Sequence, residues 1–515
     1  MHLLHKQWLL VALLALSCFA VAQTVDTAVD SSLSTATTSC APPTYGCARS
    51  DLIKTNNLNP PPVVSKKNVK VTPSDFKLPI VRATDGGLLF NRTLTTTMSG
   101  SNGDNIFNVD DTYVLVIDQY GSTYPLAFSP STLQVLNTSA WNVGSNQVRW
   151  TGTSSFSRVN RALVFAVPAK DTTIPGVNAD GTTLYKIMLS GTSSITATGT
   201  PVFDFANCNG MPNPYNIGKG LWRSVLTVSK GDRRVAGAFS NQGGQNTATD
   251  IVVYDAPSGQ CYRYDTAHGK LCISTGCMPM SMPDEFKIHE VYMSLDGNYM
   301  RIAISSCITS GCGQIPGTVP YIWQIGTTNV TRCDNSSHNT ACTGHMAEGY
   351  SHMYNSIVWP TAGKRLYSDP MSYSLINSTP TLTPRSDEHY SNNAADNNDT
   401  YPIWVTNIQN IHTKFGGAGC NTSGNIYEGC TFPGPLYGEV FGITNGGGYI
   451  RAAHTYNTGS SYYFNCSNNI GAVSQTGRFF AWTSDWLNTL GTDEQGRHRC
   501  DVFIVNLAAA QGATQ

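Results

Sequence analysis

The sequence predicts an all-β fold, a six- or seven-bladed β-propeller with disulfide-closed loops, from three observations. One short phrase recurs six times: an apolar strand, a small polar turn, and a second apolar strand. The turns of successive copies lie roughly 50 to 70 residues apart, apart from one gap about twice that size, and helical periodicity is almost absent. A four-stranded unit cannot bury its apolar face alone, so repeated units of this length are expected to pack radially.

The copies share a turn that holds Gly, Asp or Asn and a following strand that opens on a bulky residue. They read FNVDDTYVLVI (107–117), FSRVNRALVFAV (156–167), VSKGDRRVAGAF (228–239), MSLDGNYMRIAI (293–304), VWPTAGKRLYS (358–368) and VSQTGRFFAWTS (473–484). The wide last gap leaves room for a further copy in residues 437–454. Further strands and turns follow several copies, as in DIVVYDAPSGQCYRY and YIWQIGTTNVTRC. A large β-sandwich, or two β-domains with similar hairpins, is the alternative architecture.

The amino-terminal region predicts export. Residues 1–22 read as a signal peptide, with Lys6, an apolar run from Trp8 to Ala22, and small residues before Gln23. The run is too short for a convincing anchor, so no stable membrane insertion is expected. Residues 23–75, rich in Pro, Ser and Thr, are expected to form a tether, with the propeller spanning 76–515. The protein is therefore predicted to be secreted, to an extracellular or periplasmic location.

Composition agrees with a secreted β-protein. Only 13% of the residues are charged and the formal net charge is −1, which argues against a general nucleic-acid binder. Cleavage of the signal would leave 14 of the 15 cysteines, in the sequence-near couples 40/47, 208/261, 272/277, 307/312, 333/342, 420/430 and 466/500. We expect disulfides, because exported thiols become oxidised; a zinc site is the alternative, and the partners are left open.

Polar residues are predicted at the starts of the innermost strands, where propellers bind ligands at the mouth of the central channel. Counting eight residues back from the turn Gly gives Arg223, His289, Asn355 and Asn469; from Asn160 the same count gives Gly152. Trp222, beside Arg223, is a candidate sugar-stacking residue, although inter-blade packing is the default role for tryptophans in such strands.

Histidines point to the same region. His345, His352 and His454 could hold a divalent metal (Mn, Zn or Ca), with Glu290 or Glu348 as oxygen ligands or supporting groups. His289 could instead act as a general base beside an arginine that neutralises a carboxylate. A single histidine in a β-protein is more often a hydrogen-bonded structural residue. No organic cofactor is expected, since the Gly446–Gly448 run lacks the helix and Lys of a phosphate loop.

The phrases HEVYMSLDGNYMRI and GAVSQTGRFFAWTSDW resemble blades of the TolB-like propellers. Among these, the oligogalacturonate lyases are similar in layout, and the resemblance implies a catalytic His, an Arg and a His-rich divalent metal site at the channel mouth. The resemblance covers single blades. The Pro that usually follows the strand-start His is Glu290 here, the spacing of the lyases' metal ligands is not reproduced around His345 and His352, and the many cysteines are atypical.

The leading functional hypothesis is a secreted carbohydrate-active propeller that cleaves an acidic polysaccharide by β-elimination. His289 and Arg223 would be catalytic, Asn355, Asn469 and Trp222 would bind substrate, and His345, His352 and His454 would hold the metal. The alternative is a non-catalytic extracellular propeller that binds a glycan or protein partner through the same face. Hydrolysis by paired carboxylates is a third possibility. Propeller loops change function without changing the blade pattern, so the pattern selects no substrate.

Overall fold

The structure is a computed structural model of the whole chain. It describes residues 39–51, 53, 61–89, 91–96, 105–137, 148–209, 226–240, 248–282, 284–308, 320–332, 346–349, 352–356, 362–366, 373–375, 387–398, 400–408, 436, 438–444, 448–458, 466 and 469–509. From Ser39 onward the chain forms one compact unit. Within the described residues, three short 3-10 turns occur at Gly86–Leu88, Phe205–Asn207 and Lys230–Asp232, and Cys466 is helical. None of the helices in this part of the chain is long and apolar enough to cross a membrane.

The first strands along the chain form three successive antiparallel units after an amino-terminal pair. The amino-terminal pair is β1 (Lys70–Val71) and β2 (Ile80–Arg82). Blade 1 contains β3 (Leu94–Thr95), β4 (Tyr113–Asp118), β5 (Ser122–Ser129) and β6 (Gln134–Val135). Blade 2 contains β7 (Trp150–Phe156), β8 (Leu163–Thr172), β9 (Thr183–Ser190) and β10 (Thr196–Asp204). Blade 3 contains β11 (Thr227–Val228), β12 (Arg234–Phe239), β13 (Asp250–Asp255), β14 (Gln260–Asp265), β15 (Lys270–Ile273) and β16 (Gly276–Pro279).

Four further units follow. Blade 4 contains β17 (Phe286–Met293), β18 (Tyr299–Cys307), β19 (Pro320–Gln324) and β20 (Val330–Arg332). Blade 5 contains β21 (Met346–Glu348), β22 (His352–Ser356), β23 (Ala362–Leu366) and β24 (Tyr373–Leu375). Blade 6 contains β25 (Asp387–Ser391), β26 (Ile403–Ile408), β27 (Glu439–Ile443) and β28 (Tyr449–His454). Blade 7 contains β29 (Gly471–Val473), β30 (Phe479–Ser484) and β31 (Asp501–Asn506), completed by β2 and β1.

The described strands form a seven-bladed β-propeller, which confirms the predicted fold class and decides between six blades and seven. The strands form six antiparallel sheets, one of them eight-stranded. Inside that sheet, β5 and β7 share only the pairs Ser122↔Thr151 and Thr123↔Trp150, so it divides into blades 1 and 2. The first strands of neighbouring blades contact each other, β7 with β11, β11 with β17, β21 with β25 and β25 with β29. The blades therefore follow one another around the ring in chain order.

The ring is closed by an amino-terminal strand. β2 pairs antiparallel with β31 near the carboxyl end of the chain, so blade 7 contains strands from both ends of the propeller. The guanidinium of Arg82, 2% exposed, donates to the Asp501 carboxylate at 2.7 Å. The other Asp501 oxygen accepts from the Thr84 hydroxyl at 2.7 Å and the Gly86 amide at 2.8 Å. A buried carboxylate with this many donors holds the closing strand in register.

The propeller unit begins before the predicted boundary at residue 75. β1 pairs with β2, and Arg49 bridges to Arg451 at the edge of blade 6. Tyr45, 1% exposed, packs edge-on against Trp404 and donates its hydroxyl to the Gly477 carbonyl at 2.8 Å. The region predicted as a tether thus contributes apolar surface to the core from residue 39 onward. The predicted signal peptide lies outside the described residues.

One repeated turn connects the first two strands of most blades. In four of them an Asn or Ser at its start accepts a hydrogen bond from the amide five residues on: Asn108 from Tyr113, Ser229 from Arg234, Ser294 from Tyr299 and Ser474 from Phe479. The fourth residue of each turn has a positive φ: Asp111, Asp232, Gly297 and Gly477. At Gly477 a Cβ would lie 2.6 Å from the Tyr45 hydroxyl, so glycine is required there.

The copy of the phrase that belongs to blade 6 does not lie at residues 437–454, where the sequence predicted it. Residues 437–454 contain the outer hairpin of blade 6, β27 and β28. The inner hairpin of that blade is formed by β25 and β26, with residues 392–402 between them. This connection is longer than the other turns and contains no glycine, which is why the phrase did not match it.

The described tryptophans pack between strands and blades, as the default interpretation predicted. Trp404, Trp482 and Trp486 are all fully buried in one apolar cluster. Trp486 stacks on Phe503 with ring centroids 4.2 Å apart. These rings therefore stabilise the core and are not sugar-stacking surfaces.

Four of the sequence-near cysteine couples are disulfides: Cys40–Cys47, Cys208–Cys261, Cys272–Cys277 and Cys466–Cys500. Cys307 is also disulfide-bonded. The couples 333/342 and 420/430 lie outside the described residues. Cys208–Cys261 joins the end of blade 2 to β14 of blade 3, whereas Cys272–Cys277 only joins the neighbouring strands β15 and β16. The two bonds therefore constrain the chain to very different degrees.

We expect replacement of Cys208 and Cys261 by Ala to destabilise the protein more than the matched replacement of Cys272 and Cys277. The first bond has a sequence separation of 53 residues and the second of 5. Loop-closure entropy assigns the bonds about 4 and about 2 kcal/mol, a difference of about 2 kcal/mol. Urea unfolding of both variants measures this difference. Equal midpoints would contradict the role of Cys208–Cys261 as a link between blades.

The buried carboxyl group of Asp111 makes the free energy of unfolding depend on pH. It is fully buried and accepts from the Thr476 hydroxyl at 2.5 Å, yet burial outweighs this bond and raises the pKa of Asp111 to about 6. Since the pKa is higher in the folded state, the folded protein binds more protons between about pH 4 and pH 6. Asp111 therefore makes the free energy of unfolding fall as pH rises through that window. We expect Asp111→Asn to be stabilised relative to the parent at pH 7, on the order of 2 kcal/mol, and not at pH 4.

Thermal unfolding of the parent and Asp111→Asn at both pH values measures this difference. Asn accepts the positive φ of this position, so the substitution preserves the turn. Asp171→Asn, at an exposed carboxylate on β8, is the control, and we expect no pH-dependent gain there. A gain of equal size in the control would contradict the assignment.

Candidate functional site

The propeller has two ends that differ in chemistry. At the turn end, each innermost strand runs into the repeated turn; at the strand-start end, those strands begin. The turn end is represented among the described residues by turns from six blades, including the long blade-6 connection at residues 392–402. The residue directly after the first turn residue is the one that reaches furthest across the ring.

Arg158 connects blade 2 to blades 3 and 6. Its Nε donates to the Val228 carbonyl at 2.7 Å, and its two Nη atoms donate to the Asn393 carbonyl and side-chain oxygen at 3.2 and 3.1 Å. Its backbone amide donates to Asp232 at 2.7 Å. Because blades 1 and 7 lie between blades 2 and 6, the guanidinium must extend over the axis to reach Asn393.

Two further side chains, from blades 3 and 7, also connect the turns of different blades at this end. Lys230 of blade 3 donates to the Ala395 carbonyl at 3.5 Å and the Asn397 side chain at 3.3 Å, both in blade 6. Blades 3 and 6 face each other across a seven-membered ring, so this contact also crosses the axis. Gln475 of blade 7 donates to the Phe107 and Ser157 carbonyls of blades 1 and 2, at 2.9 and 3.0 Å. Among the described turns, this end is therefore filled by the side chains of Arg158, Lys230 and Gln475, which together are called the plug.

The electrostatics of this end reflect its burial. Loss of hydration lowers the pKa of Arg158 to about 10, and the nearby Asp232 carboxylate opposes that shift. Asp232 also accepts a hydrogen bond from the Ser157 hydroxyl. At neutral pH Arg158 remains a cation, and its charge is balanced by Asp232 within the plug.

The strand-start end contains His289, the predicted base, on the innermost strand of blade 4. It is half-buried on β17, within a double register shift. Ile288 pairs with Ile304 and Glu290 with Ala303, so His289 is the extra residue of the bulge. Core-facing residues change from Phe286 and Ile288 before the bulge to Val291 and Met293 after it. The bulge therefore re-aims the side chain of His289 relative to the regular strand.

Glu290, considered above as a metal ligand or a supporting group, faces an arginine. Its Oε1 accepts from both Nη atoms of Arg301 at 3.3 Å, and both residues are buried. The Arg301 guanidinium also lies 4.9 Å from the ring centroid of Tyr292. The carboxylate is thus held by a cation inside the blade.

Two other strand-start positions have backbone conformations that favour particular residues. Gly152 has φ 109°, and a Cβ there would lie 2.2 Å from the Val167 carbonyl oxygen, so only glycine fits. Asn469 has φ 53°, is 1% exposed, and its amide donates to the Thr455 hydroxyl at 3.3 Å. These contacts give Asn469 a structural role; its predicted role in substrate binding stays a prediction.

The predicted metal ligand His454 lies on β28, the outermost strand of blade 6 in the described sheet. Its Nε2 is 3.2 Å from an Asp75 oxygen, and its ring packs edge-on against Phe76 with centroids 4.9 Å apart. His289, in contrast, lies on an innermost strand. The structure therefore places His454 where it fastens the amino-terminal segment to blade 6.

The structure describes only some of the remaining predicted site residues. Arg223, Trp222 and His345 lie outside the described residues. Asn355 and His352 both lie on β22, whose backbone alone is described. Among the described residues, no group of three or more His, Cys, Asp or Glu side chains could hold a metal ion.

The repeated turn also corrects one register. Counted from the turn serine, His289 lies five residues before Ser294, and the same count from Ser229 gives Ser224. The sequence alignment used Gly231, but in this copy the residue equivalent to Gly297 is Asp232. The position equivalent to His289 in this copy is therefore Ser224, and since residues 223 and 224 lie outside the described part of the chain, the role of Arg223 stays a prediction.

Sequence reasoning missed the plug at the turn end. Aligning the copies on the turn serine places Arg158, Lys230, Gln475 and Asn393 at one position, beside the apolar Val109 and Leu295. That alignment would have predicted a second ring of polar side chains, at the turn end of the propeller. Asp485 has a structural role, since it accepts from the Thr458 and Leu487 amides at 3.0 and 3.1 Å.

Comparisons with known proteins find similarity in structure only. No family model matches the chain, and no curated protein matches it. An oligogalacturonate lyase from Vibrio parahaemolyticus is 10% identical, with 89% of this chain and 98% of that chain covered and a TM-score of 0.48. An oligogalacturonate lyase in complex with manganese is 9% identical, with 86% and 98% covered and a TM-score of 0.48.

Propellers of another kind match as well. The WD40 domain of Neurospora crassa Pan2 is 10% identical, with 79% of this chain and 89% of that domain covered and a TM-score of 0.38. The blade-level resemblance to oligogalacturonate-lyase propellers agrees with these matches as a likeness of fold. At such identities the likeness assigns no activity and no residue role.

We expect Arg158→Met to destabilise the protein by about 2–4 kcal/mol, because it leaves the Val228 and Asn393 carbonyls and the Asp232 carboxylate without their cation. Arg161→Met is the matched control on the same turn. Arg161 has a side chain 75% exposed and lies 3.8 Å from Asp110, so its loss should cost less than about 1 kcal/mol. Urea unfolding measures both variants, and equal losses would show that Arg158 is not a link between blades.

Proposed function

We propose that this chain is a secreted, carbohydrate-active propeller that binds an acidic glycan at the strand-start end and cleaves it by β-elimination. The observation that carries the proposal is the pairing of a filled turn end with a half-buried histidine on an innermost strand at the opposite end. Ligands of propellers bind at a channel mouth. Arg158, Lys230 and Gln475 occupy one mouth, which leaves the mouth bordered by His289 for the ligand.

His289 is suited to the role of base by its position and its chemistry. Histidine is the side chain whose ordinary pKa lies nearest neutrality, so its neutral form can accept a proton there. A bulge in the strand is a common means of aiming a side chain at a site. The neighbouring Glu290 is held by Arg301, so the two side chains have separate roles.

The proposed step is a proton abstraction followed by loss of a leaving group. His289 takes the proton on the carbon next to the uronate carboxylate, and the electron pair left behind forms a carbon–carbon double bond. The glycosidic oxygen on the adjacent carbon departs with the bonding electrons and takes up a proton. Arg223 would neutralise the uronate carboxylate, which makes the abstracted proton more acidic.

A divalent metal (Mn, Zn or Ca) would supply the same neutralisation as Arg223 when bound. Within the described residues, His454 does not fit that role, because it lies on an outermost strand and contacts Asp75. The contributions of His345 and His352 to a metal site stay predictions. The step above is therefore assigned to His289 and Arg223.

The extracellular or periplasmic location is proposed on the signal-like residues 1–22 together with the disulfides. The described disulfides Cys208–Cys261 and Cys466–Cys500 join segments distant in sequence, as expected of a chain that folds in an oxidising compartment.

We expect the purified protein to release unsaturated uronyl products from at least one of pectic, alginate, ulvan and glycosaminoglycan substrates. His289→Ala should lower the rate by about a hundredfold to ten-thousandfold, because the base is lost while the blade remains intact. The measurement is the ultraviolet absorbance of the new conjugated double bond. His268→Ala is the control, since His268 is an exposed histidine beside Asp265, after the fourth strand of blade 3.

A panel without any unsaturated product would contradict the lyase step. Binding of an acidic oligosaccharide under the same conditions, weakened by His289→Ala, would then favour the non-catalytic alternative. Equal effects of His289→Ala and His268→Ala would remove His289 from the site altogether.

A further inference from the structure

An exposed tyrosine stands at the strand-start end of blade 1. Tyr120 lies in the loop between β4 and β5, next to the start of β3, because Asp118 at the end of β4 pairs with Leu94. It is 53% exposed, and among the residues whose side chains the structure describes it is the one exposed aromatic side chain of Phe, Trp or Tyr. A single exposed apolar side chain is normal on a protein surface, so the argument for a role rests on the groups around this ring.

The loop that presents Tyr120 is fixed by one buried carboxylate. Asp118, 3% exposed, accepts from the Tyr120 and Ser122 amides at 2.9 Å each. Its other oxygen accepts from Arg92 at 2.6 Å and from the Tyr124 hydroxyl at 2.9 Å. The Arg92 guanidinium in turn lies 5.1 Å from the centroid of the Tyr120 ring. The ring is therefore held in place before any ligand arrives.

A second loop, from blade 7, places polar groups beside this ring. The Tyr120 hydroxyl donates to Glu494, and the Gln119 side-chain amide donates to the same Glu494 oxygen at 3.2 Å. The Glu494 loop is itself rigid, because Asp493 accepts from the Gln495 and Arg497 amides at 2.9 Å each. An aromatic ring beside planar amide and carboxylate groups is an arrangement that binds the apolar face and the hydroxyls of a sugar.

The charges at this cluster decide which sugar fits. Arg92 is neutralised by Asp118, and Arg497 is neutralised by Asp493 at 2.9 Å. Glu494 then leaves one net negative charge next to the ring. A carboxylate accepts hydrogen bonds from sugar hydroxyls but repels the carboxylate of a uronate.

We propose that Tyr120, Gln119 and Glu494 form a subsite for a neutral sugar residue at the strand-start end. This rests on the glycan-binding part of the proposed function and not on its catalytic step. The glycan would then be mixed, with an acidic residue near His289 and a neutral residue on Tyr120. Alternatively, the subsite takes a neutral branch of the same polymer.

The test is isothermal titration of the full chain with neutral tetrasaccharides derived from galactan, arabinan, xylan and mannan, and with galacturonate tetrasaccharide as the acidic probe. At least one neutral tetrasaccharide should bind. Tyr120→Ala should weaken that binding by about tenfold or more, and Tyr120→Phe, which keeps the ring, by less. Glu494→Gln should improve binding of the acidic tetrasaccharide by up to about fivefold, since it removes the repelling charge.

Controls separate this inference from the lyase step and from misfolding. Val159→Ala, at an exposed residue of the turn end, should leave neutral-sugar binding unchanged. His268→Ala, at an exposed histidine of blade 3, should also leave it unchanged. Neutral-sugar binding needs no unsaturated product, so failure of the lyase step leaves the subsite testable. If Tyr120→Ala fails to fold, Tyr120→Phe and Glu494→Gln decide. No binding of any neutral tetrasaccharide, or equal binding by parent and variants, would overturn the proposal.

Discussion

The cross-axis contacts of Arg158 and Lys230 with the blade-6 turn decide which end of this propeller can receive a ligand. Each cation extends from a turn on one side of the ring to acceptors on the other side, at Asn393 and at Ala395 and Asn397. Two of the four acceptors are backbone carbonyls and two are asparagine side chains, so the plug depends on the positions of whole turns and not on one side-chain partner. The chemistry proposed for the molecule is therefore restricted to the opposite end.

The plug depends on the local hydrogen bonds within each turn. An Asn or Ser at the start of the turn bonds the amide five residues on, as Ser229 does with Arg234, and this fixes where the next side chain points. Neighbouring turns then bond to each other, as when the Lys230 amide donates to the Leu295 carbonyl at 2.6 Å. Blades that could not bury their faces alone are thus joined at the axis as well as through their sheets. The pairing of β2 with β31 closes the same ring at its outer side.

The sequence was sufficient for the fold because its signals are local. Apolar alternation and Gly-containing turns lie within a few residues of one another, and they predicted the propeller. The cysteine count predicted disulfides with their partners left open, and four of the sequence-near couples are bonded. The blade-6 hairpin was missed because its connection is long and has no glycine. The buried role of residues 39–51 was missed because Tyr45 acts on Trp404 and Gly477, hundreds of residues away.

The candidate site was less predictable, because it depends on which strand of a blade a residue occupies. His289 and His454 both looked like strand-edge histidines in the sequence, yet one lies on an innermost strand and the other on an outermost strand. For Arg158, only an alignment of the copies on the turn serine would have indicated a position at the turn end. No sequence pattern indicated Tyr120, because its exposure follows from the packing of the Asp118 and Asp493 loops around it.

Native-state hydrogen exchange measured peptide by peptide tests the central claim, that the turn end is a packed plug, most directly. Peptides covering 229–234, 294–299 and 474–479 should exchange as slowly as the buried strand β30, because their amides bond within and between turns. The exposed strand β16 should exchange quickly. Turn peptides that exchange as fast as β16 would contradict the plug and would reopen the turn end as a ligand site.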